Sequence, residues 1–363
     1  MLHVFYVHSQ TCYVAALKII EFKKLDRSKI VILNARSTPK IDSRLRHIYI
    51  KPLLDNWKFY ALRDIPDFKW LHTRRVIRLY DSIIDEILNE KFIFYSQNGR
   101  HYKYNIFISS SLCIGNNYFE DGLDNYSTQQ EFNIKYPSPL KYRYVLINFV
   151  LGCLQGVRLR VRQDRNTFWK GKNKTVFYAL HPLSMSKIHL NIPKVILSDI
   201  SVNVDLPVLS NLPIILPSAL EEQKISENKA NIQVYIDYLR LHEMDSVHIK
   251  WHPAQNEFTK AMYRKSFAKC SITLNEIDSR IPMELYFTKR DISHTILSIG
   301  SSLLLYAALF NKNITSIVLY NNLHKILDKK TARSKFWQES FSLFNLENLK
   351  IIVSEDFELN EKY

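Results

Sequence analysis

Glycine is scarce in this chain. Seven glycines in 363 residues come to about 2%, against a usual ~7%. None of their spacings writes a Gly-x-Gly-x-x-Gly or Walker-type loop, so the two phosphate cradles most easily read from sequence are excluded. Cysteine is sparse as well. Cys12, Cys113, Cys153 and Cys270 contain no Cys-x-x-Cys pair, so neither a zinc site nor a disulfide framework is encoded locally. They read as four ordinary buried thiols in a reducing compartment. No run of about 18 apolar residues occurs, so no membrane-spanning helix is expected. The opening MLHVFYVHSQTCYVAALKII lacks a basic stretch and a small-residue cleavage site, so a secretory signal is not expected and a cytoplasmic protein is. Acidic residues are in deficit, 35 against 50 Lys and Arg, for a net charge of +15. That balance implies an anionic partner. Nucleic acid, anionic lipid and a phosphorylated small molecule all qualify.

What is abundant is apolar and aromatic. Hydrophobic residues make up 46% of the chain, with 20 Phe and 21 Tyr, ample for a buried core and incompatible with a disordered or collagen-like chain. Length suggests two domains of roughly 150–200 residues. Residues 2–7 read as a first strand, 8–11 as a polar loop and 13–22 as a helix, the opening of a Rossmann-like unit. Short strands are expected at 31–34, 48–50 and 91–95, a helix over 70–88, and a turn at Asn98-Gly99. A further strand is expected at 104–110, and another at 117–120 after a turn at Gly115. Strands at 176–180 and 195–198 follow.

Prolines 207, 213 and 217 punctuate the chain near 206–218. We divide it there into domains 1–205 and 206–363. The second half restarts the alternation, with strands at 214–216, 247–251, 272–274, 295–298 and 315–320. Helices are expected at 230–241, 283–287, 303–310 and 336–344. The fold class is therefore α/β, two doubly wound parallel sheets with a cleft expected between them. Ligands in such sheets bind beyond the carboxyl ends of strands.

Three places could carry chemistry. In Phe119-Glu120-Asp121-Gly122 a strand ends in two carboxylates and a glycine that lets the chain turn. A carboxylate there can act as general base on a hydroxyl, and the same residues also suit a capped turn. In His248-Ile249-Lys250-Trp251-His252-Pro253, strand alternation puts His248, Lys250 and His252 on one face. Pro253 then ends the strand beside His252, where an imidazole can protonate a departing phosphate; a structural loop histidine is the alternative. His181-Pro182 is a second such pair, ranked lower because it precedes the boundary. In Ile299-Gly300-Ser301-Ser302-Leu303 a strand runs through Gly-Ser-Ser into an apolar helix. Hydroxyls and helix-end amides there suit a phosphate, and simple serine N-capping explains the same pattern.

The ordered set Glu120-Asp121-Gly122, His252-Pro253 and Ser301-Ser302 resembles the signatures of bacterial sialyltransferases, of the polysialyltransferase and lipooligosaccharide sialyltransferase types. The opening at 4–20 and Ile281-Pro282-Met283-Glu284 are also similar. The resemblance implies a GT-B fold, with acceptor on the first domain and nucleotide on the second. It implies a CMP-activated sugar donor, inversion at the anomeric carbon, transfer to a lipooligosaccharide or capsule glycan, and no metal or other cofactor. By the family pattern Glu120 would be the base with Asp121 as its fallback, and His252 would act on the phosphate. Pro253, Gly300, Ser301, Ser302 and Ser218 would line the donor, with Glu284 toward the ribose. Ser9, Gln10, Thr11 and Gly122 would lie on the acceptor side.

Residues 133–175 carry ten basic residues and one acid around an apolar stretch, 144–154. The expectation is that 141–175 rests on anionic lipid at the inner face of the inner membrane; a buried helix with a basic edge, or contact with an anionic acceptor, fits the same residues. Another CMP-activated acid sugar (Kdo or pseudaminic acid) or another nucleotide-sugar is the alternative donor. A nucleic-acid partner is not expected, because the basic excess sits in one stretch and no nucleic-acid module is legible. A non-catalytic capsule-assembly partner that binds CMP is the remaining class. Monomer and homodimer are both left open.

Overall fold

The structure is a computed structural model that describes residues 1–35, 42–50, 79–98, 102–129, 174–202, 206–217, 228–253, 255–279, 281–289, 291–319 and 346–352. The chain divides into two compact units, Met1–Val204 and Asp205–Tyr363.

In the first unit seven strands form one sheet. They are β1 (Leu2–Val7), β2 (Ile30–Asn34), β3 (Arg46–Tyr49), β4 (Phe92–Ser96), β5 (Cys113–Phe119), β6 (Phe177–Ala179) and β7 (Lys194–Ile196), in the order β3-β2-β1-β4-β5-β6-β7. Every neighbouring pair is parallel. Parallel neighbours need a covered crossover, and strands covered on both faces read as continuous apolar runs. β1, Leu-His-Val-Phe-Tyr-Val, is such a run and is buried along its whole length. α1 (Gln10–Lys23) covers it, with Thr11 to Ile20 buried. The Ser9 side chain caps α1 by accepting from Cys12 N at 3.1 Å, and Lys24 ends it in the left-handed region at φ 50°.

In the second unit six strands form another sheet. They are β8 (Ile214–Ile215), β9 (Ser246–Ile249), β10 (Thr273–Glu276), β11 (Thr295–Ser298), β12 (Thr315–Leu319) and β13 (Leu349–Ile352), in the order β10-β9-β8-β11-β12-β13. These pairs too are all parallel. Each sheet starts at an inner strand, grows to one side and then returns to the other. The reversal falls between β1 and β4 in the first unit and between β8 and β11 in the second, which is where ligands bind in sheets of this type. Two Rossmann-like units in one chain make the fold α/β and GT-B-like.

Several expectations need correction. Residues 104–110 are not a strand: α2 (Tyr102–Ser109) occupies them. Its tyrosines, isoleucines and phenylalanine favour strands locally, but β4 and β5 are parallel neighbours and the chain between them must cross over, which overrides propensity. Tyr104, Phe107 and Ile108, at helical spacing, go into the core. Gly115 is no turn either. It lies inside β5, beside a bulge in which Phe92 pairs Cys113 and Ile93 pairs Gly115, leaving Ile114 as the extra residue. β9 stops at Ile249, so Lys250 and His252 lie beyond it. The helix at Glu257–Lys269 was not legible, and of the expected helix over 70–88 only 79–88 is described, ending in a π-turn at Ile83–Leu88. Ser218, Gly99, the helix at 336–344 and all of the basic stretch up to residue 173 lie outside the described residues.

The remaining helices are α3 (Asn228–Leu241), α4 (Glu257–Lys269), α5 (Met283–Tyr286) and α6 (Ser302–Phe310). No described helix is long and apolar enough to cross a membrane.

Candidate active-site residues

In the first unit the chemistry gathers at the carboxyl ends of β1 and β5. The two carboxylates after β5 part company. Glu120 is fully buried. Its backbone N–H donates to Tyr178 O at 3.1 Å, and its Oε2 accepts from Leu180 N at 2.8 Å. Its side chain thereby ties the end of β5 to the end of β6. Burial, with the Glu120 charge beside it, pushes the Tyr126 phenol well up. Lys18, buried on α1, donates to Leu197 O and Ser198 O at 3.2 Å each. Burial lowers its pKa to about 8, against the pull of Asp199 and Glu120.

Asp121 turns the other way and is about a quarter exposed. Its Oδ1 lies 2.9 Å from His8 Nε2 and accepts from the Cys12 thiol at 3.2 Å. Cys12 Sγ is 3.6 Å from His8 Nδ1. Burial, and then the Asp121 charge, hold the thiol well above its ordinary pKa, so it stays protonated and donates. The turn itself is built by Asn125, whose Oδ1 accepts from Asp121 N at 2.9 Å and Gly122 N at 3.2 Å. Gly122 has φ +147°, a conformation that side chains rarely adopt. Ser9 and Gln10 are partly exposed beside His8, whereas Thr11 is buried in α1.

Sequence reasoning missed His8, Cys12, Asn125 and Lys18 as members of this cluster. His8 was findable: it directly follows the strand at the reversal point. Cys12 and Lys18 depend on partners more than 100 residues away, whereas Asn125 acts within its own turn and was findable as a turn residue.

In the second unit the carboxyl ends of β9, β8 and β11 lie side by side. Lys250 N donates to Ile215 O at 3.0 Å, and Leu216 N to Leu297 O at 2.9 Å. His252 is exposed in the turn after β9. Gln255 pins that turn: its Oε1 accepts from His252 N at 2.9 Å, and its own N–H donates to His252 O at 2.9 Å. Pro253 is exposed beside it. His248 and Lys250 do not share a site with His252. His248 Nε2 meets Ser210 Oγ at 2.9 Å. Lys250 is buried, with its pKa lowered to about 8 by that burial, and its Nζ donates to Asp278 O at 2.5 Å and Ile281 O at 2.8 Å. Those carbonyls lead into α5, whose first turn holds the buried Glu284.

After β11, Ser298 Oγ donates to Leu216 O at 2.6 Å and accepts from Gly300 N at 3.3 Å and Ser301 N at 3.1 Å. Ser301 is the N-cap of α6, its Oγ accepting from Leu303 N at 3.3 Å. Gly300, Ser301 and Ser302 are all partly exposed. His181, the other His-Pro histidine, is pressed by burial to a pKa of about 4, and its Nδ1 accepts from Leu183 N at 3.2 Å.

No family model matches the chain, and no curated protein matches it in sequence. Among solved structures it is similar to the 2,6-sialyltransferase of Vibrionaceae Photobacterium sp. JT-ISH-224, in a ternary complex with the donor product CMP and the acceptor substrate lactose. That likeness has a TM-score of 0.53 at 12% identity and covers 96% of this chain and 78% of that one. It is also similar to a sialyltransferase from Photobacterium damsela, with a TM-score of 0.50 at 12% identity, covering 97% of this chain and 81% of that one. At such identity the likeness is one of fold: this chain has a bacterial sialyltransferase-like fold.

Proposed function

We propose that the protein is a glycosyltransferase that moves sialic acid from CMP-sialic acid to a hydroxyl of a bacterial surface glycan, lipooligosaccharide or capsule, with inversion and without a metal requirement. The observation that carries this reading is the divided acidic pair. Glu120 is consumed inside the fold, while Asp121 stands at a strand's carboxyl end, held by His8 and Cys12 on one oxygen. Asp121, rather than Glu120, is therefore the base. The sialyltransferase-like fold and the order of the motifs support the same reading.

The chemistry divides between the two units. Asp121 takes the proton from the acceptor hydroxyl as its oxygen attacks the anomeric carbon and the bond to the CMP phosphate breaks on the opposite face. His8, with the proton on Nε2, and the Cys12 thiol both donate to Oδ1, which fixes the rotation of the carboxylate. The exposed His252 meets the departing phosphate and gives it a proton or a hydrogen bond. The hydroxyls of Ser301 and Ser302 at the start of α6 hold that phosphate. Glu284 faces the ribose, and Pro253, Gly300 and Ser218 complete the donor side. Ser9 and Gln10 with Gly122 border the acceptor, whereas Thr11 is buried in α1 and is left out of the acceptor side. The net charge of +15 suits a donor that carries both a phosphate and a carboxylate. Residues 141–175 make peripheral contact with anionic lipid, to be read by liposome flotation at varied anionic content.

The test is a donor screen with CMP-sialic acid, CMP-Kdo and UDP-sugars, with and without EDTA, following released nucleotide in the presence of a galactoside acceptor. Acceptor-dependent CMP release from CMP-sialic acid, unchanged by EDTA, is the expected result. Release from CMP-Kdo or a UDP-sugar alone would replace the donor assignment, and no release from any donor would overturn the reading.

A further inference from the structure

The cluster around Asp121 has a donor set that proton transfer alone does not require. An imidazole, a thiol and a carboxylate arrive from three places in the chain: the end of β1, the first turn of α1 and the loop after β5. One ligand atom from each of His8, Cys12 and Asp121 lies within 4.8 Å of the others. Asp121 Oδ1 lies 2.9 Å from His8 Nε2 and 3.2 Å from Cys12 Sγ, while Cys12 Sγ is 3.6 Å from the other ring nitrogen, His8 Nδ1. Zinc bonds are ~2.3 Å to sulfur and ~2.0–2.2 Å to nitrogen and oxygen, which sets tetrahedral ligands roughly 3.3–3.6 Å apart. One imidazole nitrogen must face both partners, so a turn of the His8 ring and small side-chain shifts, within the 4.8 Å that the three ligand atoms already span, admit the ion.

We infer that His8, Cys12 and Asp121 form a binding site for a thiophilic divalent cation of the Zn²⁺ class, and that its occupancy inhibits transfer. The chemistry selects the class. A sulfur, a nitrogen and an oxygen suit Zn²⁺ or Co²⁺, whereas Mg²⁺ and Ca²⁺ want oxygens alone. Access is one-sided. Cys12 is fully buried and forms the floor, while His8 and Asp121, 22% and 25% exposed, form the open rim. On coordination the thiol gives its proton to solvent, and the cation's charge compensates two ligand charges that burial otherwise disfavours. Three protein ligands leave a fourth position for water. Cys12 is not a nucleophile here, because no substrate reaches a wholly buried sulfur. The inhibitory half rests on Asp121 being the base, since a carboxylate bound to the ion no longer accepts a proton.

The experiment separates the two halves. Co²⁺ titrated into the full-length protein reports binding through its thiolate-to-metal charge-transfer band and its tetrahedral visible bands, with no need of activity. Wild type, Cys12→Ser and His8→Asn are compared, each checked for folding by near-UV circular dichroism. One Co²⁺ per chain is expected, with the charge-transfer band lost in folded Cys12→Ser and the affinity of His8→Asn down roughly tenfold or more. A folded wild type without the band, or a band that survives Cys12→Ser, overturns the site. Transfer activity is then followed with Zn²⁺ and after EDTA. EDTA-reversible inhibition, weakened in both variants by a similar factor, is expected. Binding without inhibition in an active enzyme would overturn the inhibitory half and leave the site standing. Binding by a protein inactive with every donor would instead point to failure of the transferase reading.

Discussion

The division of the acidic pair predicts that two neighbouring charge-neutralising substitutions fail in different ways. Asp121→Asn removes the proposed base but keeps a side chain of the same shape on a partly exposed turn. Loss of a general base costs about 10²–10⁴ in rate, or about 2.7–5.5 kcal/mol of barrier. Its surface interaction with His8 contributes within about 1 kcal/mol to stability, so the melting temperature should barely move. Glu120→Gln is the mirror image. Its Oε2 accepts from Leu180 N at 2.8 Å in a fully buried place, and its charge opposes that of Lys18. A hydrogen bond to a charged group contributes about 1.5–3 kcal/mol, and removing one partner of buried charges costs about 3–5 kcal/mol. A net loss of about 2–4 kcal/mol follows, because glutamine still offers a carbonyl to Leu180. In a domain of this size that lowers the melting temperature by roughly 5–15 °C. The assay pairs initial rates of CMP release, taken well below both melting points, with thermal unfolding followed by circular dichroism. A Glu120→Gln enzyme that is fully folded and disabled, beside an Asp121→Asn enzyme that still turns over, would refute the reasoning.

His252→Ala should lower kcat by about 10²–10⁴ with unchanged stability, since the side chain is exposed; near-normal turnover would remove it from the reaction. Ser301→Ala should destabilise α6 by about 1 kcal/mol through loss of the cap and raise KM for the donor, so unfolding and saturation curves must both shift. Lys18 has its folded pKa lowered from 10.5 to about 8, so from about pH 8 upward the unfolded chain binds the extra proton and this group's destabilising effect is relieved. Wild-type stability minus that of Lys18→Met should therefore rise between about pH 8 and pH 10; denaturant melts giving a flat difference would count against the assignment.

Strands buried on both faces announce themselves as mostly apolar runs, which is why β1 and β2 were legible from residues alone. The helix at Tyr102–Ser109 was not, because its aromatic and β-branched residues suit a strand and only the parallel pairing of β4 with β5 demands a crossover. α4 was missed because only Thr259, Tyr263 and Phe267 bury one narrow stripe among charged residues. The acidic pair was visible as a strand-end feature. Which acid turns inward was not, since that depends on the Leu180 amide 60 residues away. Partnership of Asp121 with His8 and Cys12 likewise depends on the order of strands, which brings the ends of β1 and β5 to the same edge of the sheet with β4 between them. The turns at His252 and Ser301 could be read, whereas Gln255 and Ser298, which fix their backbones, carry no signal beyond being polar.

The supernumerary Ile114 has a consequence for how this chemistry can change over time. Side chains along an extended segment alternate with period two, so a residue gained or lost in a regular strand turns its far end over. A bulge absorbs the extra residue instead: Gly115 to Tyr118 still run in step with Ile93 to Ser96. Deleting Ile114 would therefore let β5 pair regularly and leave Glu120 facing inward and Asp121 outward. The kink is a place where the strand can change length by one without turning its end over.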